Sequence, residues 1–136
     1  MPFIAIKTSG KALGPADIET LHQETTALMA KIMGKKAEVT AVLVEEAPAS
    51  RWSVGGQALA VTGGITAHAD IKITQGTNTV QEKAAMIAAT RDMLRRVLPG
   101  LSEVAYVVID EIPATDWGYG GLTQAERKRR ADADAA

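Results

Sequence analysis

The sequence predicts an α/β (α+β) fold: two fused β-α-β units forming one four-stranded sheet with two helices on one face. Three observations lead there. Residues 45–56, EEAPASRWSVGG, recur as DEIPATDWGYGG at 110–121, an offset of 65. The same register lays Leu28-Met29 on Met93-Leu94, Ile32-Met33 on Val97-Leu98, and Asp17 on Glu82. Each copy also reads as strand, helix, strand. A repeat of this length implies one supersecondary unit used twice, each copy needing the other to bury its apolar face. The units divide as residues 1–62 and 63–130, followed by a polar tail at 131–136 that is expected to be flexible. The Gly63-Gly64 link is short, so the halves are expected to pack as one domain.

The elements follow in order. Pro2, Ile4, Ile6 and Thr8 alternate with Phe3, Ala5 and Lys7, the period of a strand. Gly10 to Gly14 form a loop, and Pro15 suits a first helical turn, where its missing N–H costs nothing. Ile18, Leu21, Thr25, Leu28, Met29, Ile32 and Met33 recur at helical spacing up to Gly34. Val39 to Val44, rich in β-branched residues, reads as the second strand. A polar arm then turns at Val54-Gly55-Gly56. In the second unit Ile65, Ala67, Ala69, Ile71 and Ile73 alternate with Thr66, His68, Asp70 and Lys72. Thr79 with Glu82 three residues later fits a capping box. Met86, Thr90, Met93, Leu94, Val97 and Leu98 form the next buried stripe, stopped by Pro99-Gly100. Val104 to Ile109 closes the unit. A helix as crossover makes the two strands of each unit parallel.

Composition narrows the function. The chain has 136 residues and a net charge of −1, which gives no reason to expect a nucleic-acid or membrane partner. It has no cysteine, hence no disulfide framework, thiol nucleophile or zinc-thiolate site. MPFIAIKTSG is too short and polar for a signal segment, so a cytoplasmic protein is expected. His22 and His68 are isolated from carboxylates at ligand spacing, so no metal and no cofactor is expected. The Gly-Gly pairs end arm strands and lack the strand-to-helix placement of a phosphate loop.

The two copies differ at one chemical point. The first opens Met1-Pro2, so removal of Met1 would expose a proline amine. Its counterpart in the second copy is Ala67, an internal amide without a basic lone pair. A base working near neutrality needs a pKa near the operating pH. A chain-start amine lies closer to that range than a lysine, and burial or nearby cations lower it further.

Pro2, the doubled β-α-β unit and the arms Trp52-Ser53-Val54-Gly55-Gly56 and Trp117-Gly118-Tyr119-Gly120-Gly121 together resemble the tautomerase superfamily, typified by 4-oxalocrotonate tautomerase, in its fused double-length form. The resemblance spans Pro2 to about Arg130. It implies an isomerase in which Pro2 is the general base for keto–enol proton transfer on a small α-keto acid or similar enolisable carbonyl, and a homotrimer. The alternatives are a decarboxylase or hydratase of a 3-oxo or unsaturated acid with protonated Pro2 as acid, and a catalytically silent trimeric binding module. By the family pattern Trp117 and Tyr119 shape the proline pocket, with Thr74 and Thr77 from the neighbouring loop. Arg51 or Lys11 would then meet a substrate carboxylate. Trp52 serves either as an apolar wall or as subunit contact.

The departures from that pattern are specific. The first loop carries Lys7 and Lys11 and no arginine, and the corresponding second loop reads Thr74-Gln75-Gly76-Thr77. The second-strand positions hold Ala41 and Tyr106. Met29 and Tyr119 stand where a dehalogenase branch places a histidine and a water-activating glutamate. These residues argue against hydrolytic dehalogenation and for a weakly anionic substrate.

Overall fold

The computed structural model describes residues 1–136. β1 (Phe3–Ser9) leads through a loop into α1 (Pro15–Met33), which starts with proline in its first turn and ends on Gly34 in the left-handed region. A 3₁₀ turn at Ala37–Val39 precedes β2 (Ala41–Glu46). The first arm is a hairpin of β3 (Ser53–Val54) and β4 (Gln57–Ala58), followed by one turn of helix, α2 (Leu59–Thr62). The second unit repeats the order with β5 (Thr66–Thr74), α3 (Val80–Val97), β6 (Tyr106–Ile112), the hairpin of β7 (Gly118–Tyr119) and β8 (Leu122–Thr123), and α4 (Gln124–Ala135).

The sheet order is β2-β1-β5-β6. β1 and β2 are parallel, as are β5 and β6, and the two units meet through antiparallel β1 and β5. That antiparallel junction fixes the site. It sets the chain start beside the C-terminal end of β5, because Phe3 pairs with Lys72 and Ser9 with Thr66. Gly10 closes the other end, at φ 98°, where any side chain would run into the Gly64 carbonyl.

α1 and α3 lie together on one face. Ile4, Ile6, Ala67, Ala69, Ile71 and Ile73 from the sheet pack with Leu21, Met29, Met33, Met86, Met93 and Leu94 from the helices, all buried. The alternation read from the sequence is therefore the core face, and fully burying each large side chain contributes roughly 1.5–3 kcal/mol. Thr79 caps α3 as the capping box requires, accepting from Glu82 N–H at 3.1 Å while Glu82 accepts from Thr79 N–H at 2.8 Å. The opposite sheet face carries exposed Phe3, Leu43, Val108 and Tyr106, the last 64% exposed.

Three boundaries differ from the sequence expectation. Val39 ends a 3₁₀ turn, and the strand begins at Ala41, whose N–H is the first to reach β1, at the Pro2 carbonyl. Val104 stays outside β6 because its carbonyl accepts the Thr66 hydroxyl at 2.7 Å. Residues 131–135, expected as tail, continue α4 as exposed helical turns. No helix is long and apolar enough to cross a membrane.

Candidate functional site at the chain start

Strand alternation turns Pro2 toward the helices, and it is buried; Met1 is half-buried. The Pro2 carbonyl accepts from Ala41 N–H at 3.3 Å, which anchors the chain start to β2. A cleft of about 340 Å³ opens there, lined by Met1, Lys35, Lys36, Val39, Tyr119, Gln124, Arg127 and Lys128, with Gly34 and Ala131 at its edges. Four of these are cationic and none is acidic. Burial holds the Met1 amine below its ordinary pKa, and the charges of Lys35 and Lys36 push it the same way. Burial also lowers Lys35, against the opposing pull of Glu82.

The threonines act through their neighbours. Lys35 Nζ donates to Thr77 Oγ1 at 2.8 Å, and Thr77 in turn donates to the Thr74 carbonyl at 2.6 Å. Trp117 Nε1 donates to Thr74 Oγ1 at 3.2 Å. The β5–α3 loop thereby holds one cation and one indole in place. Tyr119 lies beneath Arg127, whose guanidinium stands 3.7 Å from the ring centroid. Arg127 Nε and Nη2 also donate to the Tyr119 carbonyl at 3.2 and 2.9 Å. Gly120 permits this approach, because a Cβ there would sit 2.6 Å from Arg127 Nη2.

The structure thus gathers Pro2, Thr74, Thr77, Trp117 and Tyr119 at one end of the sheet. It does not bring Lys11 and Arg51 to that end within the chain. Lys11 follows the far end of β1 and donates to the Val97 carbonyl at 3.0 Å, while Arg51 is exposed after the far end of β2. The cations at the cleft come instead from the residues after α1 and from α4. Sequence reading passed over Lys35 because the apolar stripe stops at Gly34, and over Arg127 because α4 has no stripe. The Thr123…Glu126 spacing was the available signal for α4: Thr123 Oγ1 accepts from Glu126 N–H at 3.0 Å. These cations line the cleft although Thr74, Thr77, Ala41 and Tyr106 supply none.

The second unit has no equivalent amine. Ala67 is buried within β5, paired with Thr8. A cavity of about 590 Å³ lined by Asp92, Arg95, Arg96, Pro99, Gly100 and Leu101 occupies the place that repeats Gly34 to Lys36. It too is partly basic, but the nearby backbone is continuous. His22 is exposed and Met29 is fully buried in the core. No group of three or more His, Asp or Glu is arranged to hold a metal ion.

Two β-α-β units sharing one sheet, with a cationic cleft around the chain start, make this a fused double-unit α+β protein. The family model described as Tautomerase enzyme matches residues 68–127. Probable tautomerase K2 of Dickeya dadantii (strain 3937) is 32% identical over 62 residues, 46% of this chain and 92% of that protein. The chain belongs to the tautomerase family and is an isomerase of the tautomerase type. Among solved structures, native fused 4-OT is 26% identical with a TM-score of 0.83, covering 93% of this chain and 99% of that one. A fused 4-OT solved as a symmetric trimer is 22% identical with a TM-score of 0.80, over 90% and 96%. A macrophage migration inhibitory factor-like protein from Entamoeba histolytica is 18% identical with a TM-score of 0.74, over 90% and 97%.

Proposed function

We propose that this tautomerase moves a proton between oxygen and carbon of an α-keto acid or similar enolisable carbonyl, with the Pro2 nitrogen, freed by removal of Met1, as the base. The observation that carries the reading is the half-buried chain-start amine in a cleft lined by four cations and no carboxylate. Neutral Pro2 takes the proton from the enol hydroxyl, leaving an enolate and a prolinium. The prolinium N–H then returns that proton to the substrate carbon, giving the ketone and restoring the free base. Lys35 and Arg127 hold the carboxylate and stabilise the negative charge that develops on oxygen, being in place before the proton moves. The proline ring fixes the direction of the lone pair.

Burial and the charges of Lys35 and Lys36 lower the Met1 amine, and a Pro2 amine freed beside the same lysines would be pushed the same way, which favours the base over the acid reading. A pH–rate profile for ketonisation of phenylpyruvate enol tests this. A base gives kcat/KM that rises with pH to a plateau; a fall with rising pH supports a decarboxylase- or hydratase-type acid and overturns our reading.

We also infer a homotrimer. Support comes from the open sheet face with Phe3, Leu43, Tyr106 and Val108, an apolar patch that calls for cover, and from related fused 4-OT proteins that are trimers. Each trimer would then hold three proline sites. Analytical ultracentrifugation showing a stable monomer at micromolar concentration defeats this part.

A further inference from the structure

We propose that Thr77 makes the cleft selective for carboxylate-bearing substrates by holding Lys35 as a fixed cation, an inference that rests on the cleft being the keto-acid site. Lys35 lines the cleft, and Thr77 acts through it as a positioning residue. The β5–α3 loop, Thr74-Gln75-Gly76-Thr77, has no cation of its own. It places one that follows α1 instead.

Three contacts fix Lys35. Its backbone N–H donates to the Met29 carbonyl at 3.1 Å across the left-handed Gly34 turn, which sets the chain at the end of α1. Asn78 Nδ2 donates to the Met33 carbonyl at 3.0 Å and so pins the loop to that same helix end. Lys35 Nζ then donates to Thr77 Oγ1 at 2.8 Å. The Thr77 hydroxyl proton is committed to the Thr74 carbonyl at 2.6 Å, which leaves the oxygen lone pairs for the ammonium.

The charge is also left unneutralised. No carboxylate stands within ion-pair distance of Lys35. Glu82, the acid whose charge reaches it, serves the α3 cap: its Oε1 accepts from Thr79 N–H at 2.8 Å and from Asn78 Nδ2 at 3.3 Å. An ammonium has three donors and Thr77 takes one, so two stay open to a ligand oxygen. A free lysine must be ordered when the ligand binds. One already held has met that cost, a difference of about two- to tenfold in affinity per side chain. A carboxylate gains from this, because its charge meets the cation; a neutral group of the same shape does not.

The test is binding, measured by calorimetry on the Met1-processed protein. Phenylglyoxylate carries the 2-oxo acid group but has no removable hydrogen next to the ketone, so it binds without turnover. Phenylglyoxylamide replaces the carboxylate by a neutral amide. Thr77→Val should weaken phenylglyoxylate about three- to tenfold and leave phenylglyoxylamide within about twofold. Thr77→Ser, which keeps the hydroxyl, should stay within about twofold of wild type on both. In a Lys35→Met background Thr77→Val should add no further loss, since the group it holds is gone. Thr77 is exposed in a loop, so the Tm should hold; Thr77→Ala gives the same readings if valine disturbs the loop. Equal losses on both ligands, no loss on either, or the same loss with Lys35 already replaced each overturns the proposal. Wild type that binds neither ligand overturns the keto-acid reading and the proposal together, whereas binding that ignores Thr77 overturns the proposal alone. Thr77-dependent binding without Pro2-dependent turnover sinks the base assignment and leaves the proposal standing.

Discussion

Replacing Arg127 by alanine isolates the electrostatic part of the proposed mechanism. In the free protein this removes two hydrogen bonds to the Tyr119 carbonyl, at 3.2 and 2.9 Å, and a guanidinium stacked 3.7 Å above the Tyr119 ring. Those contacts tie α4 to the arm, and a partly exposed stack of this kind contributes about 0.5–1 kcal/mol. In the complex the variant also loses a charge-assisted bond to the substrate carboxylate. That loss is about 1.5–3 kcal/mol, roughly ten- to a hundredfold in kcat/KM. The assay is ketonisation of phenylpyruvate enol, followed by absorbance, beside the enol of phenylacetaldehyde, which has no carboxylate. The carboxylate substrate should lose the full factor and the neutral one only about two- to fivefold, the effect of a looser arm. Arg127→Lys should fall between, since it restores charge without the planar fork. Equal losses on both substrates would mean that Arg127 acts only through the arm. No loss on either would refute its role altogether.

Other outcomes follow from the same geometry. Lys35 and Lys36 add to burial in lowering the Met1 amine, and a Pro2 amine freed beside them would feel the same charges, so Lys35→Met should move the rising limb of kcat/KM to higher pH; a limb that stays or moves down contradicts this. Glu126 is held at about 2 by Arg129 and then Arg130, so its stabilising pairs are complete above its ordinary value near 4.5 and are lost as pH falls toward 2. NMR titration of that carboxyl carbon reads the value directly, and a midpoint near 4.5 refutes the pairing. Ile71 is fully buried between Ile4 and Ile109 in the sheet, so Ile71→Ala should cost about 2–5 kcal/mol in urea unfolding at fixed protein concentration. A loss under about 1 kcal/mol would mean that the core closes around the gap.

Much of the fold was legible because the same physical demands were written twice. The strand alternation at Pro2 to Thr8 and at Ala67 to Ile73, and the stripe from Met86 to Leu98, are periodic signals that burial enforces. The capping box at Thr79 and the Gly34 helix stop are local and need no tertiary information. Strand starts were misread where backbone groups find partners outside the strand: Thr40 N–H closes a 3₁₀ turn on Ala37, and the Val104 carbonyl goes to Thr66. The site was half legible. Pro2, Trp117 and Tyr119 carry unusual chemistry at repeat-defined places. Lys35 and Arg127 look like ordinary surface cations until the antiparallel junction and the stack on Tyr119 bring them to the chain start. Lys11 and Arg51 lie at the other end of the sheet within the chain, because proximity to a strand in sequence says nothing about which end of the sheet faces the amine.

The central claim is that the Pro2 nitrogen must be free. Preparing the protein with Met1 removed and with Met1 retained, each verified by intact mass, and comparing ketonisation of phenylpyruvate enol tests it most directly. We expect full turnover only in the processed form, with Met1-retained protein and processed Pro2→Ala both folded and losing most of it. Equal rates with Met1 in place would contradict the account, because the Pro2 nitrogen would then be an amide with no lone pair to take the proton.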